Sequence, residues 1–491
     1  MHDIQEFLTT PSIATVLPVV ETISADLLTP LAVYLKLASG ETRSFLLESV
    51  EGGESLGRFS FIGVRPEFTL TGNDRSVSIS DAGGTTNLSV STIDFLRRHF
   101  SENRLTPDPG LPSFAGGAIG TMNFSCARWF EPSLETSLSG SEDEAAFLFC
   151  RTVVAFDHAK QLISIISLVY SQDAEGNDEQ LRDLIENAKA TNASIRRRLE
   201  TAPVELPDEH APMKDASVTS NLSRKEFTDA VGEIKSAIFA GDAYQVVLSQ
   251  RFTRRTAASP VAIYRAMRSI NPSPYMFLIN FGDRSVIGSS PEMLVRASGP
   301  SLEYRPIAGT RPRGLTPDED DSFSEEMRAD AKEVAEHMML VDLGRNDLGR
   351  VADFGTVSAS DVMSVEKYSH VQHLVTRLTA KLSKGRDRFD ALAACFPAGT
   401  VSGAPKVNAI KMICRLEPTP RGLYSGAVGY FDYAGNMDTC IAIRTMVVEN
   451  GIAHIQAGAG IVADSDPDSE YRETINKASA LIRAIEAAEQ R

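Results

Sequence analysis

The stretch EHMMLVDLGRND, residues 336–347, decides the fold of this chain, because it is the longest of several motifs that follow one another in a fixed order. With Glu333 before it, the stretch predicts a helix. On that helix Glu333 and His337 share a face and Glu336 lies beside them, since residues three and four positions apart are neighbours. A carboxylate on such a face becomes a candidate metal ligand when a second helix supplies another.

A second carboxylate-bearing helix is predicted near the C-terminus. Asp466 is a good N-cap and Pro467 suits the first helical position. The helix then carries Glu470, Glu473 and Lys477. Mg²⁺ prefers oxygen ligands, commonly one or two carboxylates with water and a substrate anion, and one Glu from each helix would supply them. Spacing alone favours the alternative, solvated helix faces with ion pairs such as Glu473 with Lys477.

The composition is that of a large globular protein. The chain has 491 residues, 42% of them hydrophobic, which predicts a large core and two to three domain-sized units. Its formal net charge is −16, from 49 basic and 65 acidic residues. This acidic balance predicts that nucleic acid is not a partner, because contacts to phosphates need an excess of Lys and Arg.

No targeting segment and no membrane association are expected. Asp3 and Glu6 stand where a secretory signal would carry positive charge, and the apolar run 13–20 is broken by Thr15 and Pro18. No run approaches the roughly 18 apolar residues that a membrane span requires. Five cysteines are scattered without a Cys-x-x-Cys pair, which suits reduced thiols in a cytoplasmic protein.

Two portions of the chain differ in pattern, and we predict domains at 1–205 and 206–491. The first portion is predicted to be rich in strands, with a polar helix over 178–199. A segment with three prolines, 201–213, is the predicted linker. The predicted strands of the first portion include 32–37, 68–71, 153–156 and 162–168.

The second portion begins with a well-marked helix. Ser223 and Glu226 have the spacing of a capping box and predict a helix that runs to about Ala240. Strands and helices then alternate to the C-terminus. The predicted class is mixed α/β (α+β) with large antiparallel sheets.

Two glycine-containing stretches could bring backbone close to a ligand. In QAGAGI, residues 456–461, small residues would let backbone N–H groups approach an anion. This stretch lacks the third glycine of a dinucleotide fingerprint, and a β-bulge or tight strand crossing would explain it equally well. The stretch PAGTVSGAPK, residues 397–406, is not a P-loop, because Pro405 replaces the second glycine and Val407 the Ser/Thr.

Histidine and arginine residues of the second portion are ambiguous by themselves. His370 and His373 form a His-x-x-His pair without a following carboxylate, which is a weak metal signal, and a single His more often makes a structural hydrogen bond. Arg305, Arg311 and Arg313 could hold carboxylates or line a polar surface. Each of these features is modest alone.

Taken in order, these motifs resemble those of one family, the chorismate-utilising enzymes. The resemblance covers about Leu222 to Ala487 closely and the N-terminal portion more thinly. So many long matches in one order are specific. The matching stretches are QVVLS 245–249, GSSPE 288–292, PIAGTR 306–311, EHMMLVDLGRND 336–347, FPAGTVSGAPK 396–406, DTCIAIR 438–444, QAGAG 456–460 and ETINKA 473–478.

The resemblance implies a fold and a reaction. The fold would consist of two large antiparallel sheets packed orthogonally with helices outside, and the active site would lie between the sheets. Members that add water to chorismate carry a lysine where this chain has Gln245, and members that form aminodeoxychorismate carry a nucleophilic lysine where it has Ala308. The remaining route is attack by ammonia, which implies conversion of chorismate and ammonia to anthranilate and pyruvate through an aminated intermediate.

Two alternatives stay open at this point. An enzyme of the same family could form aminodeoxyisochorismate or aminodeoxychorismate and stop there. A protein of another class, an inactive regulatory protein that binds tryptophan, would need no active site. The presence of Glu292, Glu336, His373 and Glu473 argues against that second alternative.

The resemblance also assigns site residues, each at the position of this chain that matches the family motif. Mg²⁺ would be held by Glu336 and Glu473 against the ring carboxylate of chorismate. The implied catalytic residues are Glu292 as general acid, His373 as base in the elimination and Thr400 near the leaving oxygen. The implied substrate-binding residues are Gly309, Thr310, Tyr424, Arg444, Gly458, Ala459, Gly460 and Lys477.

Finally, the resemblance implies feedback inhibition and a partner subunit. Ser49, Pro274, Tyr275 and Met276 would line a tryptophan site, with Ser49 ending a strand at the edge of an N-terminal sheet; an ordinary core strand and a proline turn are the alternative. The cysteines lack a nucleophile-elbow context such as Gly-x-Cys-x-Gly. Ammonia would therefore come from a separate glutamine amidotransferase subunit, in a hetero-oligomer.

Overall fold

Two large antiparallel sheets form the centre of the protein. They are seen in a computed structural model, which describes residues 15–49, 57–105, 108–138, 140–206, 217–368 and 371–490. The strands are β1 Val16–Ser24, β2 Ser44–Glu48, β3 Phe59–Val64, β4 Phe68–Gly72, β5 Val77–Asp81, β6 Gly84–Leu88, β7 Gly117–Met122, β8 Ala145–Cys150, β9 Thr152–Asp157, β10 Leu162–Tyr170, β11 Thr219–Ser220, β12 Gln245–Arg255, β13 Tyr275–Asn280, β14 Arg284–Ser290, β15 Met293–Ser298, β16 Ser301–Tyr304, β17 Ile307–Pro312, β18 Ser358–Lys367, β19 Val371–Lys381, β20 Gly403–Ala404, β21 Ala427–Asp432, β22 Met437–Ile441, β23 Thr445–Glu449 and β24 Ile452–Ile461.

Helices accompany the sheets along the whole chain. They are α1 Pro30–Ala38, α2 Thr92–Glu102, α3 Ala127–Phe130, α4 Asp178–Thr201, α5 Arg224–Ala240, α6 Pro260–Ile270, α7 Pro317–Ala329, α8 Ala331–Gly349, α9 Arg388–Cys395, α10 Lys406–Leu416 and α11 Pro467–Glu489. Within the described ranges, every helix is too short or too polar to cross a membrane.

Each sheet combines strands from distant parts of the chain. The first sheet has the order β1-β10-β9-β3-β2-β13-β14-β23-β24-β12-β11, with β20 also paired to β12. The second has the order β17-β19-β16-β15-β22-β21-β7-β8-β4-β5-β6, with β18 also paired to β19. The expected two-sheet architecture is therefore confirmed. The boundary at 205/206 stays a prediction, although both portions contribute strands to both sheets, and residues 207–213 of the predicted linker lie outside the described residues.

Local signals explain several elements. The capping box at Ser223 is confirmed: its side chain accepts a hydrogen bond from the backbone of Glu226, whose carboxylate accepts one in return. Asp466 caps α11 by accepting from the backbone of Ser469. The predicted strands near 153–156 and 162–168 form an antiparallel pair, β9 with β10. The strand predicted at 68–71 and the helix at 178–199 are also confirmed.

Two predictions about the N-terminal portion are wrong. Residues 32–37 form helix α1, not a strand, because Thr29 caps the helix and Pro30 occupies its first turn. Val33, Tyr34 and Leu37, which are spaced as on one helix face, are buried. The strand that ends before Ser49 is not at a sheet edge, because β2 pairs with β3 on one side and β13 on the other.

Two buried clusters hold the layers together. One lies between the sheets, where Phe61 of β3 meets Tyr430 of β21 with ring centroids 5.8 Å apart, and Phe114 contacts both rings. The other lies between the first sheet and helices α1, α6 and α11. Removing one such aromatic side chain costs about 3–5 kcal/mol of unfolding free energy. The two clusters fix β12, β24 and α11 as a rigid support for the cavity described next.

Candidate active site

A cavity of about 250 Å³ lies between the two sheets. It is bounded by β12 and β24 of the first sheet, β17 of the second, and helices α8 and α11. Nine of the residues that the family resemblance assigns to the active site line it together: Glu292, Thr310, Glu336, Thr400, Tyr424, Arg444, Gly458, Gly460 and Lys477.

Glu292 is a buried carboxyl group with a raised pKa. It lies between β14 and β15 with 6% of its surface exposed. Burial raises its pKa from 4.5 to about 8, and Thr400 and Lys477 lower it by smaller amounts. Thr400 is close enough to lower the pKa of Glu292 by hydrogen bonding, but Glu292 Oε1 and Thr400 Oγ1 are both buried and neither makes a hydrogen bond of good geometry to a described residue. At neutral pH Glu292 is thus a neutral proton donor that a ligand could engage.

Arg444 provides a positive charge that no carboxylate of the described residues pairs with. Its guanidinium makes no ion pair within the described ranges, and burial lowers its pKa, with Tyr424 and Glu473 acting in the opposite direction. Its backbone has φ +49°, a conformation that is costly for a residue with a side chain. Lys477, in contrast, is neutralised by Glu473 at 2.6 Å and donates to the carbonyl of Gly458 at 3.1 Å. An anionic ligand would complete the environment of Arg444.

The backbone of β24 presents free groups to the cavity. Beyond Ile455, β24 has no described partner on the side of β23, while β12 pairs with its other edge as far as Ile461. Gly458 is paired with Ser249, whose N–H turns away to Glu417. The N–H of Gly458 therefore points to the open edge, as does that of Gly460 two residues on, whereas the backbone of Ala459 faces β12.

A side chain at either open position would displace a neighbouring side chain. A Cβ atom on Gly458 would lie 2.7 Å from the Tyr424 hydroxyl, and one on Gly460 would lie 2.6 Å from the amide nitrogen of Gln245. A larger residue would thus fill the space beside these two side chains. Gln245, the residue that the family resemblance contrasts with the lysine of water-adding members, is 7% exposed.

The two predicted metal ligands lie close enough to interact. The pKa of Glu336 is raised, first by burial, then by the charge of Glu333, with Glu473 contributing in the same direction. Crowded carboxylates of this kind attract a divalent cation. Yet in the part of the chain that the structure describes, no three His, Cys, Asp or Glu side chains form a metal cluster. Two carboxylates with other oxygens are a donor set that Mg²⁺ accepts, so the magnesium site stays a prediction.

His373 lies beside the cavity on β19. Its Nδ1 is 2.7 Å from the carbonyl of Gly309, which can only accept, and 3.2 Å from the hydroxyl of Thr310. Nδ1 therefore carries the proton, and Nε2 is left as a proton acceptor. The pKa of His373 is lowered mainly by burial, and Arg444 acts in the same direction. A neutral imidazole of this kind can serve as a base.

Several other candidates serve the protein itself. Arg305, Arg311 and Arg313 all pair with protein carboxylates, so none of them is left free to bind a substrate carboxylate. Glu333 is one of these partners, 3.0 Å from Arg311. His370 lies outside the described residues.

A separate cavity of about 350 Å³, here called the Ser49 cavity, brings together Ser49, Pro274, Tyr275 and Met276. β2 and β13 form one wall, since Glu48 pairs with Met276. The Ser49 hydroxyl is buried and makes no hydrogen bond to any described residue. The Tyr275 hydroxyl donates to Asp438 at 3.0 Å. Among the described residues of this cavity, the Ser49 hydroxyl is thus a buried polar group without a partner, whereas the Tyr275 hydroxyl already has one.

Gln456 is a cavity residue that the sequence interpretation overlooked. It lines the cavity on the same face of β24 as Gly458 and Gly460, because alternate residues of a strand point to the same side. That alternation was the available signal, since Gln456 opens the glycine-containing stretch. Its Oε1 atom is buried without a hydrogen-bond partner in the described chain.

Comparison with known proteins agrees with this geometry. The family model for chorismate binding enzymes matches residues 42–483. The chain therefore belongs to the chorismate binding enzyme family, as the motifs indicate. Among its relatives, anthranilate synthase component 1 of Pseudomonas aeruginosa is 44% identical over 475 residues, which cover 95% of this chain and 94% of the relative. The probable anthranilate synthase component 1 of Schizosaccharomyces pombe is 43% identical over 477 residues, with coverage of 96% and 94%.

Solved structures share the fold. Anthranilate synthase component I from Streptococcus pneumoniae TIGR4 superposes with a TM-score of 0.75 at 32% identity, covering 94% of this chain and 99% of that one. The menaquinone-specific isochorismate synthase of Escherichia coli has a TM-score of 0.69 at 21% identity, with coverage of 96% and 95%. This second likeness is one of fold alone.

Proposed function

We propose that this chain converts chorismate and ammonia to anthranilate and pyruvate, the first step of tryptophan biosynthesis. One observation carries the proposal. The cavity joins a buried, protonated Glu292 to the guanidinium of Arg444, which has no counter-ion among the described residues, and it offers Gln245 where a water-activating enzyme needs a lysine. The relatives named above, at 43–44% identity, are anthranilate synthase component 1.

Binding of chorismate would use the groups that the protein leaves unsatisfied. Arg444 would pair with one carboxylate of the substrate, and the N–H groups of Gly458 and Gly460 would donate to another carboxylate oxygen. Tyr424 and Lys477 line the same space. These contacts fix the ring between the two sheets before any bond changes.

The first chemical step would be amination. Ammonia attacks C2 of the ring, both ring double bonds shift, and the hydroxyl at C4 leaves as water after it takes a proton from Glu292. The ammonium group formed at C2 then loses a proton, which restores the acid form of Glu292. A carboxyl group with a pKa of about 8 is protonated at neutral pH and can supply that proton. Thr400, whose hydroxyl has no described partner, would donate a hydrogen bond near the departing oxygen.

The second step would be elimination. Nε2 of His373 removes the proton from C2, the bond between C3 and the enolpyruvyl oxygen breaks, and the ring becomes aromatic. The enolpyruvate that leaves takes up a proton and becomes pyruvate. The hydrogen bond from Nδ1 to Gly309 supports this role, because it fixes the neutral tautomer that has Nε2 free.

A magnesium ion would be held by Glu336 and Glu473. It would neutralise charge on the ring carboxylate of chorismate and help to orient the substrate. The raised pKa of Glu336, to which Glu333 and Glu473 both contribute, supports this assignment, since a cation would relieve their mutual repulsion.

The nitrogen source in the cell would be a separate glutamine amidotransferase subunit, and the working enzyme would be a hetero-oligomer in the cytoplasm. A glutaminase needs a thiol of low pKa as its nucleophile. Burial raises the pKa of all five thiols of this chain, and none forms a disulfide. The thiols are therefore poor glutaminase nucleophiles, and their reduced state suits a cytoplasmic enzyme.

Tryptophan would inhibit by binding in the Ser49 cavity. The free hydroxyl of Ser49 could hydrogen-bond its amino or carboxylate group, while Pro274 and Met276 contact the indole. Tyr275 pairs across β13 and β14 with Ser290, two residues before Glu292. A ligand bound at Tyr275 could thus favour one arrangement of the catalytic acid over another.

A fluorescence assay tests the proposal directly. The purified chain is supplied with chorismate, Mg²⁺ and an ammonium salt at raised pH, and anthranilate is followed by its emission. The expected result is anthranilate formation that requires all three additions, with no activity when glutamine replaces ammonium. An aminated product that is not aromatic would instead assign the chain to the enzymes that stop at the intermediate, and absence of any turnover would refute the proposal.

A further inference from the structure

A third cavity, of about 320 Å³, adjoins the active site. We call it the antechamber; Arg251, Arg284, Tyr424, Val447, His454 and Gln456 are among the residues that line it. No step of the proposed reaction uses a residue that lines the antechamber but not the active-site cavity.

The antechamber and the active-site cavity share a wall. Tyr424 and Gln456 line both of them. One face of the β12–β24 ladder runs beneath the two cavities, because Arg251 is paired with Gln456, Ser249 with Gly458 and Val247 with Gly460. Along this face the side chains on β24 end after Gln456, since glycine follows at alternate positions. The two shared side chains, Tyr424 and Gln456, therefore form the boundary between the cavities.

Gln456 is anchored with its amide oxygen free. Its Nε2 donates to the hydroxyl of Ser249 at 2.8 Å, and that hydroxyl donates to Glu417 at 2.7 Å. Glu417 in turn is held by Arg421 at 2.6 Å. This chain of bonds fixes which end of the amide is the oxygen. Oε1 is buried and has no partner in the described chain, so it needs a donor from a small guest.

Charged side chains of both signs line the antechamber, with Arg251, Arg284 and Arg421 on the positive side. The acids that line it, Asp143 and Glu449, are exposed. Arg251, half-buried and paired across the strands with Gln456, donates to the carbonyl of Pro420 and makes no ion pair with a described residue. An ammonium ion would be attracted at the exposed rim but disfavoured next to Arg251, whereas neutral ammonia would meet no such barrier.

We infer that the antechamber is the route by which ammonia reaches C2 of chorismate, and that Gln456 Oε1 accepts a hydrogen bond from the incoming NH₃. The inference rests on the proposed function and specifies where its second substrate binds. No bond to ammonia forms or breaks at Gln456; the residue holds the nucleophile in its neutral form at the boundary of the active site. It is a binding residue for ammonia, beside a site that holds chorismate.

The first test replaces the acceptor. Gln456→Leu keeps the approximate length of the side chain and removes both polar ends. With purified full-length chain, ammonium chloride and saturating chorismate at fixed pH, we expect KM for ammonia to rise about tenfold, the effect of one lost hydrogen bond. KM for chorismate and the thermal midpoint should change little.

The second test narrows the antechamber without touching the active-site cavity. Val447 lines the antechamber alone. Val447→Phe should raise KM for ammonia about fivefold by filling the antechamber, while Val447→Ala, which cannot narrow it, should not raise KM for ammonia.

The possible outcomes separate this inference from the proposed function. If the unmodified chain forms no anthranilate from ammonium, the proposed function fails and the inference fails with it. The inference alone is overturned if the unmodified chain is active but Gln456→Leu raises KM for chorismate instead of KM for ammonia. The same holds if a stable Val447→Phe variant has an unchanged KM for ammonia.

Discussion

The active-site cavity and the Ser49 cavity differ in how the protein treats the charges in their walls. In the active-site cavity, Arg444 has no described counter-ion and Glu292 is kept neutral by burial. In the Ser49 cavity, Arg296 is paired with Asp438 at 2.7 Å, and Tyr275 donates to the same carboxylate. The first cavity is thus incomplete without a charged ligand, whereas the second needs only shape and one or two hydrogen bonds.

This difference between the cavities predicts which substitutions should reduce turnover. Groups left unsatisfied for a reactant are costly to the folded state and essential for turnover. Groups that are already satisfied can be altered with little loss of turnover. Substitutions of unpaired and of already paired groups test this division, and the largest effect is expected at Glu292.

Glu292→Gln should reduce turnover roughly 10⁴-fold, because the amide cannot donate the proton that the leaving hydroxyl requires. The thermal midpoint should be equal to or higher than that of the unmodified chain. Turnover by the fluorescence assay and melting by calorimetry measure the two effects. A variant that retains substantial activity would remove Glu292 from the role of general acid.

Glu336→Gln should reduce turnover roughly 10³-fold, the effect expected when a metal ion that supplies several kcal/mol of stabilisation is lost from the transition state. Part of the activity should return at high Mg²⁺ concentration. Glu333→Gln is the matched control on the same helix, since Glu333 is paired with Arg311. Equal losses in both variants, without dependence on Mg²⁺, would contradict the ligand assignment.

His373→Ala should slow anthranilate formation roughly 10²-fold while amination continues. An aminated, non-aromatic intermediate should therefore accumulate and be detected by mass spectrometry. If chorismate consumption and anthranilate formation fall together, His373 acts in amination or only holds Gly309.

Ser49→Leu should raise the tryptophan concentration for half-inhibition about tenfold, because the larger side chain fills the Ser49 cavity. Turnover without tryptophan should stay close to that of the unmodified chain. The inhibition curve and thermal midpoint are measured for both proteins. Unchanged sensitivity to tryptophan in a stable, active variant would contradict the assignment of this cavity to tryptophan.

The smallest expected effect is on pH dependence. Glu292 must be protonated to act, so at constant free NH₃ the value of kcat/KM for chorismate should be about half-maximal at pH 8 and fall above it. The stability effect has the same direction: a folded pKa raised above 4.5 favours the native state at low pH, and this contribution is lost as pH rises through about 8. Glu292→Gln should lack this loss. A flat profile through pH 8 would contradict the role of this proton.

Short-range signals predicted individual elements well and the sheet order not at all. The capping box at Ser223 and the turn between β9 and β10 depend on neighbouring residues, and both are confirmed. Residues 32–37 have the alternation of a strand, but the cap at Thr29 and Pro30 outweighs it. The pairing of β7 with β21 joins residues hundreds of positions apart, and no local pattern encodes it.

The site was predicted through its motifs, not through its spacing. Glu292, Thr400 and Arg444 lie far apart in sequence, and only the family resemblance indicated that they act together. The properties that make them useful come from the surroundings: burial sets the pKa of Glu292, and the end of β23 leaves the edge of β24 open at Gly458. Gln456 could not be predicted in this way, because its unpaired amide oxygen depends on a hydrogen bond to Ser249 that no sequence motif indicates.

The mixing of early and late strands in both sheets has a consequence for biosynthesis on the ribosome. When β2 and β3 emerge, the strand that will cover the other side of β2, β13, has not been made, and β7 must wait for β21. The nascent chain therefore carries exposed apolar strands with open edges through much of translation, a state prone to pair with other chains. Long-range contacts of this kind form slowly, so these strands stay uncovered until the last strands and α11 are made.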